Sequence, residues 1–468
     1  MRRAAGCAGL ATLVGLAFAA PASASSVSAS TDQVQFNAGA GEANNVTVSR
    51  VGDAISISDT GAPIVPGTGC SAAGPNQVTC PFPRFGFSAS LGNLGDSFLA
   101  DQSLSGIGFI QVSGEDGADS VTVAARAAQA VGISGDGFTD TPQPADGPDV
   151  IDAGPSSGFI VPGGGNDVVN GGDGNDQIAA DQVADGADMI SGGGDLDIYG
   201  AFTTRSADMQ VTLDGAADDG IGCPGSGCEG DNVMPDVDSV VGGNGNDVLV
   251  GNGGPNTLVG GEGNDVVRGG GGPDSMSGSG GNDSLTGEAG PDQLMGGEGA
   301  DRVDGGKGDD TFDSGQLIDD PDTIVGGKGE DLMDYSQANA GVRVSLDGRT
   351  GDGVPGENDN VGRDVEDVIG SAYADVLVGS AAANDLQGGG GADRLTGGKG
   401  LDGLIGGDGA DRLTGGPGHD LLDSGDGPDR IKARDHRGDE IECGAALDRV
   451  KADRSDRLTA DCDKVSRR

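Results

Sequence analysis

The chain has no tryptophan, and aromatic residues make up only 3% of its 468 positions. A conventional globular core of that length is filled by large apolar side chains, so their scarcity excludes one thick interior. Histidine is almost missing: His419 and His436 are the only two. No His-Glu-x-x-His pair exists, which excludes the zinc-protease chemistry built on it. Gly154-Pro-Ser156-Ser-Gly158 has the letters of a nucleophile elbow, yet Phe159-Ile-Val-Pro-Gly-Gly-Gly follows where a helix is required. Basic residues number 27 against 75 acids, a formal charge of −48. That balance opposes binding to nucleic-acid phosphates, and without cations it is the composition of a disordered polyanion. No stretch after the first 24 residues is apolar over a membrane-spanning length.

What the chain has instead is glycine, 94 residues of it, arranged with a period. Residues 242–313 are eight nonapeptides end to end on the template G-G-x-G-x-D-x-U-x, where U is apolar. Position six is Asp247, Asn256, Asp265, Asp274, Asp283, Asp292, Asp301 and Asp310. Position eight is Leu249, Leu258, Val267, Met276, Leu285, Leu294, Val303 and Phe312. Only position two drifts, to Asn252, Ser279 and Glu288. Glycines can take the positive φ of a tight turn, and three residues x-U-x suffice for a short strand. Repeated turn-plus-strand units coil into a parallel β-roll with U stacked inside and the aspartates ranked along the turns. The fold class expected is all-β: a β-solenoid of nonapeptides with a β-rich N-terminal segment and a disulfide-tied C-terminal cap.

A rank of carboxylates repels itself unless a hard cation with six to eight oxygen ligands sits among them, drawing on carboxylates and turn carbonyls. This nonapeptide resembles the RTX, or haemolysin-type, calcium-binding repeat. The resemblance implies multiple Ca²⁺ ions and no other cofactor. It carries over to position six of each matching unit: Asp167, Asp176, Asp188 and Asp197; Asp247, Asp265, Asp274, Asp283, Asp292, Asp301 and Asp310; and Asp375, Asp393, Asp402, Asp411, Asp420 and Asp429. No catalytic residue is expected.

In chain order, Met1-Arg-Arg, an apolar run over residues 10–20 and Ala22-Ser-Ala24 form a secretory signal peptide, residues 1–24. Residues 25–113 carry alternating apolar pairs such as Val46/Val48, Ile55/Ile57 and Ile110/Val112. Their spacing fits solenoid rungs or a small β-sandwich. Rungs are preferred, because Gly114-Glu-Asp-Gly-Ala-Asp119-Ser-Val121 already approaches the template. Degenerate repeats over 114–200 become regular, and a spacer cassette over 201–241 interrupts them. The main array, 242–334, leads to a second cassette, 335–369, since Val211-Thr-Leu-Asp214 is echoed by Val344-Ser-Leu-Asp347. The second array spans 370–432, and a charged segment, 433–468, is expected to cap it. Six cysteines after the leader's Cys7 form sequence-local pairs, Cys70 with Cys80, Cys223 with Cys228, and Cys443 with Cys462, as export to an oxidising compartment favours. Zinc at Cys223 and Cys228 would lack further ligands nearby.

The function expected is that of a secreted, extracellular protein that folds on Ca²⁺ and serves a structural, adhesive or surface-binding role. Its expected partner is a cell-surface polysaccharide or protein. Two rivals stand beside it: a secreted hydrolase using the repeats as a folding aid, whose catalytic domain would have to lie within residues 25–145, and a carbohydrate-binding module.

Overall fold

The computed structural model describes residues 24–467, apart from 31–32, 40, 83–85, 93, 105–106, 108, 115–118, 124–129, 135–147, 155–156, 163–164, 181–185, 202–204, 222–229 and 316–319. Residues 1–23 of the signal segment, Cys7 among them, Ser156 of the elbow-like string, and the Cys223/Cys228 pair therefore lie outside the described residues. Among those described there is no α-helix; one short 3₁₀ turn, Gln102–Leu104, is the only helical element.

The chain coils as a parallel β-solenoid of about 17 turns. Two nonapeptides make one turn. Thr257–Glu262 on one wall is followed by Val266–Gly271 on the opposite wall, and the next strand of the first wall, Ser275–Gly280, pairs in parallel with Thr257–Glu262. Leu258 lies in register with Met276, and Val267 with Leu285, each 18 residues on. In a three-residue strand the middle side chain points one way and its neighbours the other. Hence the position-eight residues Leu249, Leu258, Val267, Met276, Leu285, Leu294, Val303 and Phe312 are all buried, as are Leu377, Leu395, Leu413 and Ile431 of the second array. The core is a stack of one apolar side chain per strand, which is why so few aromatics suffice.

The glycines of the template turn out to serve two different purposes. In the main array positions two and four take positive φ, as at Gly261 (110°) and Gly263 (130°), except at Asn252, Gly245 and Gly254. Position two is where the sequence drifts, and there Ser279 and Glu288 accept φ of 79° and 71°. Position one has ordinary φ; it is glycine because of space. A β-carbon on Gly242 would collide with Asp247 Oδ2 of its own repeat and with the Gly260 carbonyl oxygen one turn on.

One wall is a single sheet running the length of the molecule. The opposite wall is three separate sheets, and the two breaks fall at the cassettes. In the first, Asn232–Val233 closes one sheet against Met189–Gly194, while Met209–Thr212 opens the next against Val248–Val250. On the continuous wall, Ile198–Gly200 and Ser239–Gly243 still pair directly. The second cassette repeats this with Asn360–Val361 closing and Arg343–Ser345 opening. Each cassette is thus one enlarged coil, and an aspartate spans its split. Asp219 accepts from the N–H of Thr212 (2.6 Å) on one side and of Val233 (2.8 Å) on the other. Asp352 does the same for Ser345 (2.7 Å) and Val361 (3.0 Å).

Rungs also account for most of the N-terminal segment. Asn45–Val51, Ser97–Ala100, Ser120–Val123 and Val150–Asp152 stack in parallel, and on the other wall Gln33–Asn37, Gly86–Ser90 and Phe109–Ser113 do likewise. The Ile55/Ile57 strand is different: Ala54–Asp59 pairs antiparallel with both Asn45–Val51 and Gln77–Pro81. These hairpins are tied by Cys70–Cys80 (Cα–Cα 4.4 Å). At the other end the coils continue beyond residue 432, through Glu440–Glu442 and Arg449–Ala452 to Lys464–Arg467, with Cys443–Cys462 (Cα–Cα 5.2 Å) joining the final turns. Among the described residues no helix is long and apolar enough to cross a membrane.

Candidate metal ladder

The turn between a repeat's glycines and its strand brings position six back toward the axis, so the aspartates are buried. Every one of the seventeen position-six aspartates named above is at most 4% exposed. Each accepts, through Oδ1, a backbone N–H from one turn earlier. In the first array Asp247 N donates to Asp265 (2.7 Å), Asp265 N to Asp283 (2.7 Å) and Asp283 N to Asp301 (2.8 Å) along one edge. Along the other edge Asn256 N donates to Asp274, Asp274 N to Asp292 and Asp292 N to Asp310, at 2.8, 2.8 and 2.9 Å. The second array repeats both columns, Asp375 to Asp393 to Asp411 to Asp429 and Asn384 to Asp402 to Asp420. Asp167, Asp176, Asp188 and Asp197 extend them before the first cassette, and Asp247 and Asp375 open their columns by accepting from Met209 and Val342.

The second carboxylate oxygen is what makes these positions chemically unusual. Through both arrays Oδ2 of Asp265, Asp274, Asp283, Asp292, Asp301 and Asp310, and of Asp393, Asp402, Asp411, Asp420 and Asp429, is buried with no hydrogen-bond partner. All but Asp429, whose position one is Ser424, face the bare Cα of a position-one glycine, and at several of these a carbonyl of the next turn also converges, as at Gly278 with Asp283 Oδ2 and the Gly296 oxygen. Burial pushes the Asp283 carboxyl up to about 6 and those of Asp265 and Asp393 up to about 7, against the pull of the donated N–H, and neighbouring aspartates add to the rise. A buried, half-satisfied anion is unfavourable by itself. Acceptor oxygens alone, carboxylate plus backbone carbonyl, are the donor set of a hard divalent cation. Carboxylates do not cluster on their own: among the described residues the one tight group of three metal-ligand side chains is Cys443, Asp461 and Cys462, and those sulfurs are bonded to each other. A cation on the ladder would therefore be held by single aspartates with main-chain oxygens, and it would supply charge neutralisation and a bond between turns.

Several ladder members were not picked out by spacing. Asp331 accepts from Asp310 N (3.0 Å), and Gly326-Gly-Lys-Gly-Glu-Asp331-Leu-Met333 is a full copy of the template hidden behind a three-residue insertion. Asp322, Asp439 and Asp448 join as well, with Glu366 in place of an aspartate beside Asp331. A second, outer ladder runs at position five, which the template leaves variable: Asn264 N donates to Asn246 Oδ1 (2.9 Å) and Asn282 N to Asn264 Oδ1 (2.7 Å). On the other edge that position is Pro255, Pro273 and Pro291, which have no N–H to donate. Asn256 and Asn384 depart from the aspartate pattern instructively. Their Oδ1 accepts within the same turn, from Asn252 and Ser380, and their Nδ2 donates to the carbonyls of Asp238 and Glu366 one turn back. A neutral amide thus links the turns where a carboxylate could not.

Fold and ladder together define a calcium-binding repeat solenoid. A family model described as RTX calcium-binding nonapeptide repeat (4 copies) matches residues 159–186, 241–276, 277–315, 369–404 and 402–431, which hold most of the ladder aspartates. In these stretches the chain carries RTX calcium-binding nonapeptide repeats. No curated protein matches it.

Proposed function

We propose that the protein is exported unfolded or expanded, coils when it meets extracellular Ca²⁺, and then serves as a rigid structural or surface-binding rod without a catalytic step of its own. About 17 turns at a strand spacing near 4.8 Å make a rod on the order of 80 Å long. The observation that carries the reading is the ladder: buried aspartates that join successive turns through one oxygen, with the other oxygen of those from Asp265 to Asp310 and from Asp393 to Asp429 buried without a hydrogen-bond partner. Ion binding at one turn orders the next, so assembly is cooperative along the stack. Extracellular modules bind Ca²⁺ at about 10⁻⁴ to 10⁻³ M, which separates a calcium-poor cytosol from the exterior. Two disulfides suit an oxidising compartment. Against the hydrolase alternative, the described parts of residues 25–145 are solenoid rungs and covering hairpins.

The test is far-UV circular dichroism of the full chain during Ca²⁺ titration, with Mg²⁺ as the control. A sharp gain of strand signal in Ca²⁺ alone is expected. Equal strand content in EDTA, or an equal response to Mg²⁺, would overturn the calcium step. Turnover of a peptide, ester or glycosidic substrate that disappears on removing residues 25–145 would overturn the non-catalytic part.

A further inference from the structure

The last third of the split wall, the sheet from Arg343–Ser345 to Lys464–Arg467, differs from the rest of this polyanion. Its strands place Arg394, Arg412, Arg430, Arg449 and Lys464 directly in register, one per turn, all exposed. A parallel column, Thr396, Thr414, Lys432 and Lys451, runs beside them. None of the outward residues on these strands is acidic, and among the described residues no carboxylate is ion-paired to the five column cations. Between the columns lies an open cleft of about 410 Å³ lined by Arg412, Thr414, Arg430, Lys432, Arg449 and Lys451. Like charges directly opposite each other across strands are destabilising, so five in a row are a feature that an anion would relieve.

We propose that this face binds a linear anionic polysaccharide, a chain of sugars bearing carboxylate groups, and does so only when the solenoid is calcium-loaded. The inference rests on the surface-binding reading above and names its partner. The cations repeat at the strand spacing of about 4.8 Å, close to the length of one sugar ring in an extended chain. Guanidinium groups pair with carboxylates in a planar fork, and the threonine hydroxyls alongside suit sugar hydroxyls. A single extended chain lies along one narrow face, whereas a nucleic-acid duplex would bring its far strand against the acidic body. Calcium enters through the sequence: Asp393, Asp411, Asp429 and Asp448 immediately precede Arg394, Arg412, Arg430 and Arg449, with their carboxylates buried behind the sheet. Neutralising that inner row leaves the outer column unopposed.

The test measures binding of the full chain in Ca²⁺ to hyaluronate, with dextran as the neutral control and duplex DNA as the competing polyanion, while circular dichroism reports folding separately. Hyaluronate should bind, weaken steeply between about 50 and 200 mM salt, and be at least about tenfold weaker for Arg412→Gln/Arg430→Gln, with Arg412→Lys/Arg430→Lys falling between parent and Gln pair because the charge stays and the fork is lost. Arg302→Gln, on a different sheet, should change nothing. A Gln pair that folds and binds as tightly as the parent, or dextran binding equally well, overturns the proposal. Tighter binding to DNA, or self-association that the Gln pair abolishes while hyaluronate is ignored, assigns the face to another partner and overturns it too. A parent chain that shows no calcium-dependent fold but still binds hyaluronate refutes the calcium reading and the calcium requirement, not the docking face.

Discussion

Asp283 sits mid-column in the first array and offers the sharpest separation between its two jobs, accepting a hydrogen bond and carrying a charge. Its Oδ1 accepts Asp265 N at 2.7 Å, and its own N–H donates to Asp301 at 2.8 Å. In Asp283→Ala the Asp265 N–H is left buried without an acceptor, at about 1–3 kcal/mol, and the ligand is lost as well. In Asp283→Asn the amide oxygen can keep the place of Oδ1 and go on accepting the Asp265 N–H. The charge balance then acts in opposite directions with and without the ion. A carboxyl moved from 3.8 up to about 6 disfavours the ionised, metal-free fold by on the order of 3 kcal/mol at neutral pH. Removing that charge should raise the strand content of the Asn variant above the parent in EDTA. In Ca²⁺ the order reverses: parent most stable, Asn next, and Ala lowest by the additional 1–3 kcal/mol or so of the orphaned N–H. Circular dichroism in EDTA, and urea unfolding in Ca²⁺, read the two halves. If Asn and Ala behave alike in both, the carboxylate is not acting as described, and the ladder is an ordinary set of hydrogen bonds.

Acidity should partly replace calcium. The carboxyls of Asp283, Asp265 and Asp393 are raised in the fold to about 6 or 7, so the metal-free fold gains their full support below the unfolded value of 3.8 and loses it as pH rises through 6 to 7. In EDTA the strand signal should therefore grow from pH 8 down toward about pH 5, and a flat profile would contradict the raised values. Asp352→Ala removes the acceptor of both Ser345 and Val361 at the second cassette, about 1–3 kcal/mol for each N–H; in limited proteolysis, cleavage should move to residues 343–361, and unchanged cleavage would show that the split is held by other contacts. Cys443→Ser opens a loop of 19 residues and should cost about 3 kcal/mol in the terminal turns, visible as faster amide exchange there but not in residues 242–313. Peptide mapping of the exported chain should recover Cys223 linked to Cys228 alongside the other two pairs, and a link from Cys223 to Cys443 would mean that distant turns approach each other.

The repeating part of this protein is local, and local chemistry is what a sequence specifies directly. Nine residues contain a turn, a three-residue strand and a carboxylate, so the all-β class, the inward leucines from Leu249 to Leu422 and the rank of aspartates could all be derived from periodicity. What periodicity cannot contain is the relation between turns. That glycine at position one is demanded by Asp247 Oδ2 and a carbonyl 18 residues away, and not by its own φ, emerges only when two coils touch. The same holds for the division of labour within carboxylates such as Asp265 and Asp283, where one oxygen is committed to the preceding turn's N–H and the other has no hydrogen-bond partner. Insertions hid Asp331 from a fixed frame, although in space it takes the next place in its column after Asp310. The cassettes, legible as a repeated string, revealed nothing in sequence of how they split one wall into three while the other runs unbroken, because a strand's partners there are set by coils up to several dozen residues away. The cationic face is the clearest case: Asp-Arg dipeptides scattered at 18- and 19-residue intervals look charge-balanced along the chain, and only coiling turns each acid inward and lines the bases up outside.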